Sequence, residues 1–314
     1  MIEVVLCSDN NYVSYAAVTI ASTIVHCSHP ESLRFHLLTV DADSLKLADL
    51  AQMVANLGAQ LSIYEVQVES FLELELDRFG IGTILRLLMQ DYLSQQLERV
   101  IYLDCDILVL SDLSALWGQS LNGQVVGAVT DLCNPQTYKR RQQIYSSYFN
   151  AGVLLVDIVR WRHEKIGLQA LRYLSENISQ LPYYDQDALN YIIGDNWHSL
   201  DLRWNFQPAA YSAFDKNYNY LQERRDELEA AIRKPAVVHF IGGTKPWHAR
   251  CRHPLQDLFL FYSQFTPWPI DKQALRSQLT FYERAKRLLR LPKQWRRQQM
   301  LDYKKPDFVA LERL

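Results

Sequence analysis

Two carboxylates, Asp104 and Asp106, stand one residue apart where the apolar run Val100-Ile101-Tyr102-Leu103 ends and Ile107-Leu108-Val109 begins. Carboxylates emerging from a buried strand need a compensating partner. A divalent cation is one such partner, because hard oxygen ligands suit Mg²⁺ or Mn²⁺ and the ion can also hold substrate phosphates. A loop pair capping the next helix is the other. A second group is Val238-His239-Phe240-Ile241-Gly242-Gly243-Thr244-Lys245, where a strand delivers an imidazole ahead of a glycine pair and a lysine. The glycines permit close backbone approach to an anion and Lys245 brings positive charge to a phosphate, although His239 taken alone reads equally well as a core histidine. Asn150-Ala151-Gly152 forms a small-residue break before the strand-like Val153-Leu154-Leu155, which alone is no more than a turn. Tyr184-Asp185-Gln186-Asp187-Ala188-Leu189-Asn190 is either a polar constellation or the acidic first turn of a helix, placed to complement its dipole.

These residues need a scaffold. Ile2–Cys7, Leu33–Val40, Leu61–Val66, Val100–Leu103 and Val125–Val129 have strand composition and are bounded by polar residues or glycine. Helical periodicity lies between them, clearest over Ser44–Leu57, where Leu47, Leu50, Val54 and Leu57 share a face and Ser44 is available as N-cap. Strand–helix alternation with near-continuous apolar strands predicts an α/β fold around a mostly parallel sheet covered on both faces. In such sheets ligands bind beyond the carboxyl ends of the strands. The second half is richer in aromatics and proline, and a short strand Ala236-Val237-Val238 leads into His239. The segments between Leu132 and Ser147 and between Asn205 and Arg224 are the expected walls of a pocket. A boundary falls near Thr266, where Pro267, Trp268 and Pro269 break the chain, giving a catalytic body over 1–265 and a C-terminal tail over 266–314.

With 33 Lys+Arg against 35 Asp+Glu, a net charge of −2 and 48% hydrophobic residues, the chain is an ordinary globular protein, not a disordered or collagenous one. The five cysteines are odd in number and contain no C-x-x-C pair, so neither a disulfide framework nor a zinc knuckle is expected. The N-terminus lacks a basic n-region and a cleavage site, and no apolar run is long enough to span a bilayer, so a cytoplasmic protein is expected. Between Arg276 and Lys305 there are ten basic residues and two acidic ones. With Leu275, Leu279, Tyr282, Lys286 and Leu289 on a helical stripe, this composition predicts a basic amphipathic helical tail that attaches peripherally to an anionic membrane surface, or else a solvated basic helix. Charge confined to the tail, with no readout motif, argues against nucleic acid as a partner.

The four groups, in this order and behind a first strand ending Cys7-Ser8-Asp9-Asn10-Asn11-Tyr12, closely resemble glycosyltransferase family 8, over roughly residues 2–250. The likeness is strongest to the bacterial lipopolysaccharide and lipooligosaccharide galactosyl- and glucosyltransferase type. It implies a GT-A nucleotide-sugar-binding fold and a retaining hexosyl transfer from a UDP-sugar to a saccharide or lipid-linked acceptor, for which the basic tail suits peripheral attachment to the cytoplasmic face of the inner membrane. Asp104 and Asp106 resemble the D-x-D that holds Mn²⁺ (Mg²⁺ being the alternative), with Cys105 between them in the donor-binding set and His239 as third ligand. Gly242 and Lys245 resemble the grip on the diphosphate. Asp9, Asn11 and Tyr12 resemble the uracil and ribose contacts, and Arg86 resembles the arginine that reaches the donor. Asn150 and Asp185 fit sugar-hydroxyl contacts, while Asp131, Asp185 and Gln186 face the reaction centre and acceptor. The chain departs from the family pattern at Ile84-Leu85, between Thr83 and Arg86, and at Gly80 and Gly82.

The resemblance places Gln186 nearest the anomeric carbon, and because an amide is a poor nucleophile this favours a front-face route in which the departing phosphate takes the acceptor proton. Asp185 or Asp187 is the nucleophile of the alternative double displacement. Rival readings are a D-x-D phosphatase, disfavoured because its motif belongs on an early strand, and a non-catalytic or self-glucosylating sugar-nucleotide-binding protein. Dinucleotide-binding and P-loop enzymes are excluded by the lack of G-x-G-x-x-G and G-x-x-x-x-G-K-[ST] sequences.

Overall fold

The computed structural model describes residues 1–67, 82, 84–289 and 291–303. Thr83, Gly80, Arg290, Lys304 and Lys305 lie outside the described residues. The scaffold grows from β1 (Ile2–Asp9), whose residues Ile2 to Ser8 are all buried. Because successive side chains alternate across a strand, Val4 and Leu6 enter one core while Val5 and Cys7 enter another on the opposite face. Two-sided burial is why this strand carries the apolar run Val4–Cys7.

β2 (Leu33–Val40) and β4 (Arg99–Leu103) flank β1 in parallel, and β3 (Gln60–Glu65) continues the sheet parallel to β2. β7 (Phe149–Asp157) runs antiparallel between β4 and β6 (Val126–Thr130), and β8 (Trp197–Ser199) pairs parallel with β6. The order is β3-β2-β1-β4-β7-β6-β8, a mostly parallel sheet as expected. The helix Val13–Val25 packs on one face, and Ile158–His163, Ile166–Asn177 and Tyr184–Ile193 cover the other through Trp161, Ala170, Leu174 and Leu189. A two-stranded antiparallel sheet of β5 (Ile107–Val109) and β9 (Val237–His239) sits beside the main one.

Two local expectations are corrected. The cap of the helix Ser44–Asn56 is Asp43, which is extended and accepts from the Leu45 and Lys46 amides, so Ser44 is already helical. Asn150-Ala151-Gly152 is not a break before a strand: it lies within β7, opposite an irregularity between Ala128 and Val129 in β6. The chain after Phe265 folds into helices Lys272–Ser277, Phe281–Leu288 and Leu291–Gln299 and returns to the body. Leu275 and Leu279 are buried, Gln294 and Gln298 donate to the Arg252 and Pro254 carbonyls, and Tyr303 joins Tyr262 and His26. The helix ends between Leu275 and Tyr282, so these residues do not form one stripe. Among the described residues no helix is long and apolar enough to cross a membrane.

Candidate active site

β4 ends at Leu103, and the Asp104 amide still donates to the Gly152 carbonyl at 2.9 Å. The chain then turns through Cys105 and Asp106 into β5, whose partner β9 places His239 directly opposite Ile107. The Phe240 amide closes the register by donating to the Asp106 carbonyl at 2.9 Å. A separation of 133 positions in sequence (239 − 106) thus becomes a 3.2 Å approach between His239 Nε2 and Asp106 Oδ1, with Asp104 Oδ2 at 3.6 Å. One donor atom from each of Asp104, Asp106 and His239 lies within 4.8 Å of the others. Two carboxylate oxygens and an imidazole nitrogen, with backbone room left by Gly152, fit a hard or borderline divalent ion.

Cations brace the carboxylates from outside. Arg86 is buried and donates to Asp104 Oδ1 at 2.8 Å and to the Ala151 carbonyl at 2.6 Å. Its Nε lies 2.8 Å from Asp185 Oδ2, and its guanidinium stands 4.5 Å from the Tyr102 ring centroid. Tyr102 adds a hydroxyl donated to Asp104 Oδ1 at 2.8 Å. On the other side Lys245 Nζ pairs with Asp106 Oδ2 and donates to the Phe240 carbonyl at 3.2 Å. Burial opposes the charge on Asp106, yet His239 and Lys245 hold its carboxyl well below the ordinary range. Burial also opposes the Lys245 ammonium, and Asp106 more than offsets it, so its pKa lies above the usual lysine value. For Asp185 burial prevails over the Arg86 attraction and pushes the carboxyl up to about 6.

A second polar network adjoins the first. Asn150 Nδ2 donates to Asp131 Oδ1 at 2.9 Å and to Gln186 Oε1 at 3.0 Å, and Arg141 pairs with the other Asp131 oxygen. Gln186 Oε1 also accepts from the Ala151 amide at 3.1 Å, and its amide nitrogen donates to Tyr148 Oη at 3.2 Å. The Tyr148 hydroxyl donates to Asp187 Oδ1 at 2.5 Å, and Asp187 Oδ2 accepts from the Tyr183 amide at 2.7 Å, so both oxygens are engaged. A hollow of about 180 Å³ opens beside this network, lined in part by Asp131, Tyr138, Arg141, Tyr148 and Tyr220. Tyr138 and Tyr220 stack there at 4.1 Å.

At the end of β1, Asp9 Oδ1 accepts from the Asn11 and Tyr12 amides at 2.9 and 3.0 Å, and the partly exposed Tyr12 ring stands edge-on to Trp247 at 5.7 Å. Tyr15 stacks on Trp247 at 3.6 Å, so this first-strand turn and the loop after Lys245 share one aromatic cluster. Gly242 has φ = 106°, a region that favours glycine. Cys105 turns away from the two carboxylates and donates to the Cys7 carbonyl at 3.1 Å. The structure therefore brings Asp104, Asp106, His239, Lys245, Arg86 and Asp185 into one cluster, with Asp131, Asn150 and Gln186 adjoining.

Sequence reasoning gave no site role to Tyr102, read Gly152 only as part of a turn, and placed Arg141 and Asn205 only within the expected pocket walls. Tyr102 had a signal: two residues before Asp104 in a strand, it shares that residue's face. Asn205 had a weaker one, a lone amide between Trp204 and Phe206, both buried.

An α/β sheet whose strand ends carry an acidic D-x-D turn, a facing imidazole and bracing cations defines a glycosyltransferase of the GT-A type. The chain belongs to glycosyl transferase family 8, whose model matches residues 3–251. The general stress protein A of Bacillus subtilis is 28% identical over 273 residues, covering 85% of this chain and 95% of that one. The lipopolysaccharide 1,3-galactosyltransferase of Salmonella typhimurium is 28% identical over 271 residues, covering 83% of this chain and 77% of that one. Among solved structures, the galactosyltransferase LgtC in complex with donor and acceptor sugar analogues matches with a TM-score of 0.75 at 27% identity, covering 88% of this chain and all of that one (100%).

Proposed function

We propose that this glycosyltransferase moves a hexose, galactose or glucose, from its UDP-sugar to a saccharide acceptor of lipopolysaccharide or another cell-surface glycan, with retention of anomeric configuration. The observation that carries this reading is the convergence of Asp104, Asp106 and His239 within 4.8 Å, braced by Arg86 and Lys245. Held by these three residues, Mn²⁺ would supply Lewis-acid neutralisation of the diphosphate as it departs. Lys245 brings a further positive charge to the diphosphate beside Gly242. Asp9, Asn11 and Tyr12 border the place of the nucleoside, and Asn150 and Asp185 that of the hexose hydroxyls.

The reaction face is formed by Asp131 and Gln186. The Gln186 oxygen already accepts from Asn150 and Ala151, which further lowers its weak nucleophilicity. Asp185 is ion-paired with Arg86, and Asp187 is tied to Tyr148 and Tyr183. These engagements favour a front-face route: the bond from the anomeric carbon to the β-phosphate oxygen breaks and an oxocarbenium-like state forms. The acceptor hydroxyl then attacks from the same face and gives its proton to the departing phosphate. The hollow beside Tyr138 and Tyr220 offers the acceptor saccharide an aromatic wall. The C-terminal helices expose Phe281, Tyr282, Leu289 and Trp295 among basic residues, an arrangement suited to an anionic membrane that carries a lipid-linked acceptor.

The test is transfer from UDP-galactose and UDP-glucose to a panel of core saccharides with and without Mn²⁺, the product linkage being read by proton NMR. A Mn²⁺-dependent α-linked product supports the reading. An inverted linkage, or Mn²⁺-independent turnover, contradicts it.

A further inference from the structure

We propose that Asn205 is the positioning residue that sets the tautomer of His239, leaving Nε2 as the nitrogen available to a metal. The proposal rests on the metal reading above and adds a residue and a direction to it. Asn205 is fully buried, so water cannot replace either of its partners. One end of its amide lies 3.0 Å from His239 Nδ1 and the other 2.8 Å from the Asn150 side-chain oxygen.

The oxygen and nitrogen of an amide must be told apart by their partners. Here the partners decide. The Gly152 amide, which can only donate, points at one atom of the Asn150 side chain at 3.1 Å, and that atom is therefore its oxygen. The opposite atom lies 2.9 Å from Asp131 Oδ1, a carboxylate that accepts, and is therefore the nitrogen. Gln186 agrees with this sense, because its own oxygen is fixed by the Ala151 amide at 3.1 Å and accepts from Asn150. The Asn205 atom facing the Asn150 oxygen must then donate, which turns the Asn205 oxygen toward His239. That oxygen can only accept, so Nδ1 carries the proton. In the neutral ring Nε2 keeps its lone pair, directed at the gap between Asp104 and Asp106, whereas in the doubly protonated ring the same nitrogen donates to Asp106 while Nδ1 still donates to Asn205.

The chain Asp131–Asn150–Asn205–His239 thus carries a hydrogen-bond polarity from the reaction face to the metal triad. Metal-ligating histidines commonly have their second nitrogen fixed in this way, and removing the partner typically weakens metal binding about 10- to 100-fold. A chain of amides also has an all-or-none sense, since reversing one member would oppose oxygen to oxygen and nitrogen to nitrogen at its neighbours.

Two measurements test it. In metal-free protein labelled with ¹⁵N-histidine, at a pH where the ring is neutral, long-range ¹H–¹⁵N correlation should show the Nδ1–H tautomer. The His239 signals are assigned by their loss in His239→Gln. An Nε2–H tautomer overturns the proposal without touching the metal reading. Mn²⁺ binding, followed by the EPR signal of free Mn²⁺, should weaken about 10- to 100-fold in Asn205→Leu. Unchanged affinity in a variant that keeps its circular dichroism overturns the proposal, whereas wild-type protein that binds no Mn²⁺ overturns the metal reading itself.

Discussion

A methyl group on Gly152 would stand 2.1 Å from Cε1 of His239 and 2.8 Å from Oδ2 of Asp104, so the backbone of β7 is itself one wall of the triad. No rotamer change relieves the imidazole contact, because Asn205 and the two aspartates hold the ring. Gly152→Ala should fold, at a cost of about 1–3 kcal/mol for overpacking, and should lose Mn²⁺-dependent binding of UDP. A variant with wild-type Mn²⁺ affinity would show that the triad tolerates displacement and does not bind as a unit.

Arg86 joins the D-x-D to the helix Tyr184–Ile193 through Asp104 and Asp185. Removing one partner of a buried ion pair strands the other, at about 3–5 kcal/mol. Arg86→Met should therefore lower the melting temperature markedly and abolish transfer, while Arg86→Lys, lacking the planar fork, should recover part of the stability and little of the activity. A melting temperature unchanged in Arg86→Met would mean that these carboxylates do not depend on it.

Burial lowers the pKa of His26, His36, His248 and His253, and His26 and His253 shift furthest. Burial lowers the pKa of His26 to about 4, and burial followed by Arg297 lowers that of His253 to about 3, both from 6.5. Below pH 6.5 the unfolded chain takes up protons that the folded chain refuses, so stability is retained above that pH and falls as pH drops toward 4 and 3. Each site contributes a slope of up to about 1.4 kcal/mol per pH unit. Among the described residues His253 Nε2 is shut off from water with no hydrogen-bond partner. His253→Phe should accordingly flatten the decline between pH 7 and 5 in urea unfolding. An identical decline would place the acid sensitivity elsewhere.

The C-terminal helices leave Phe281 87%, Leu289 82% and Trp295 62% exposed. If this face meets a membrane, co-sedimentation should rise with the anionic lipid content of vesicles and fall with salt, each lysine or arginine near the surface adding about 1 kcal/mol. Lys286→Glu, a change of two charges, should reduce binding about 30-fold, and Leu289→Ser combined with Trp295→Ser should abolish it, with transfer to a soluble acceptor unchanged. Equal sedimentation with neutral and anionic vesicles would contradict the assignment.

Much of the scaffold was legible in the sequence, because strands buried on both faces are mostly apolar, as in Val4–Cys7 of β1 and Val100–Leu103 of β4, with β2 interrupted only by Arg34, His36 and Thr39. The D-x-D was legible as chemistry for the same reason: Asp104 and Asp106 interrupt such a run. The meeting of His239 with them was not, since β5 and β9 are three residues each and pair across the chain, a register that no local pattern encodes. The Asn150 segment misled because small residues within a strand mimic a turn. Gly152 lacks a side chain because His239 and Asp104 press against the strand there. Asn205 was hidden by its aromatic neighbours, and its role follows only from the donors and acceptors around it.

The central claim is that Asp104, Asp106 and His239 bind a divalent ion that receives a uridine diphosphate sugar. Thermal unfolding of the wild type and Asp106→Asn, with UDP or UDP-hexose and with or without Mn²⁺, tests this most directly, because a ligand bound only by the folded state must raise its stability. The account predicts a rise in melting temperature with UDP-hexose that requires Mn²⁺, is smaller with ADP- or GDP-sugars, and vanishes in Asp106→Asn. A rise of equal size without Mn²⁺, or one that survives in Asp106→Asn, would contradict it.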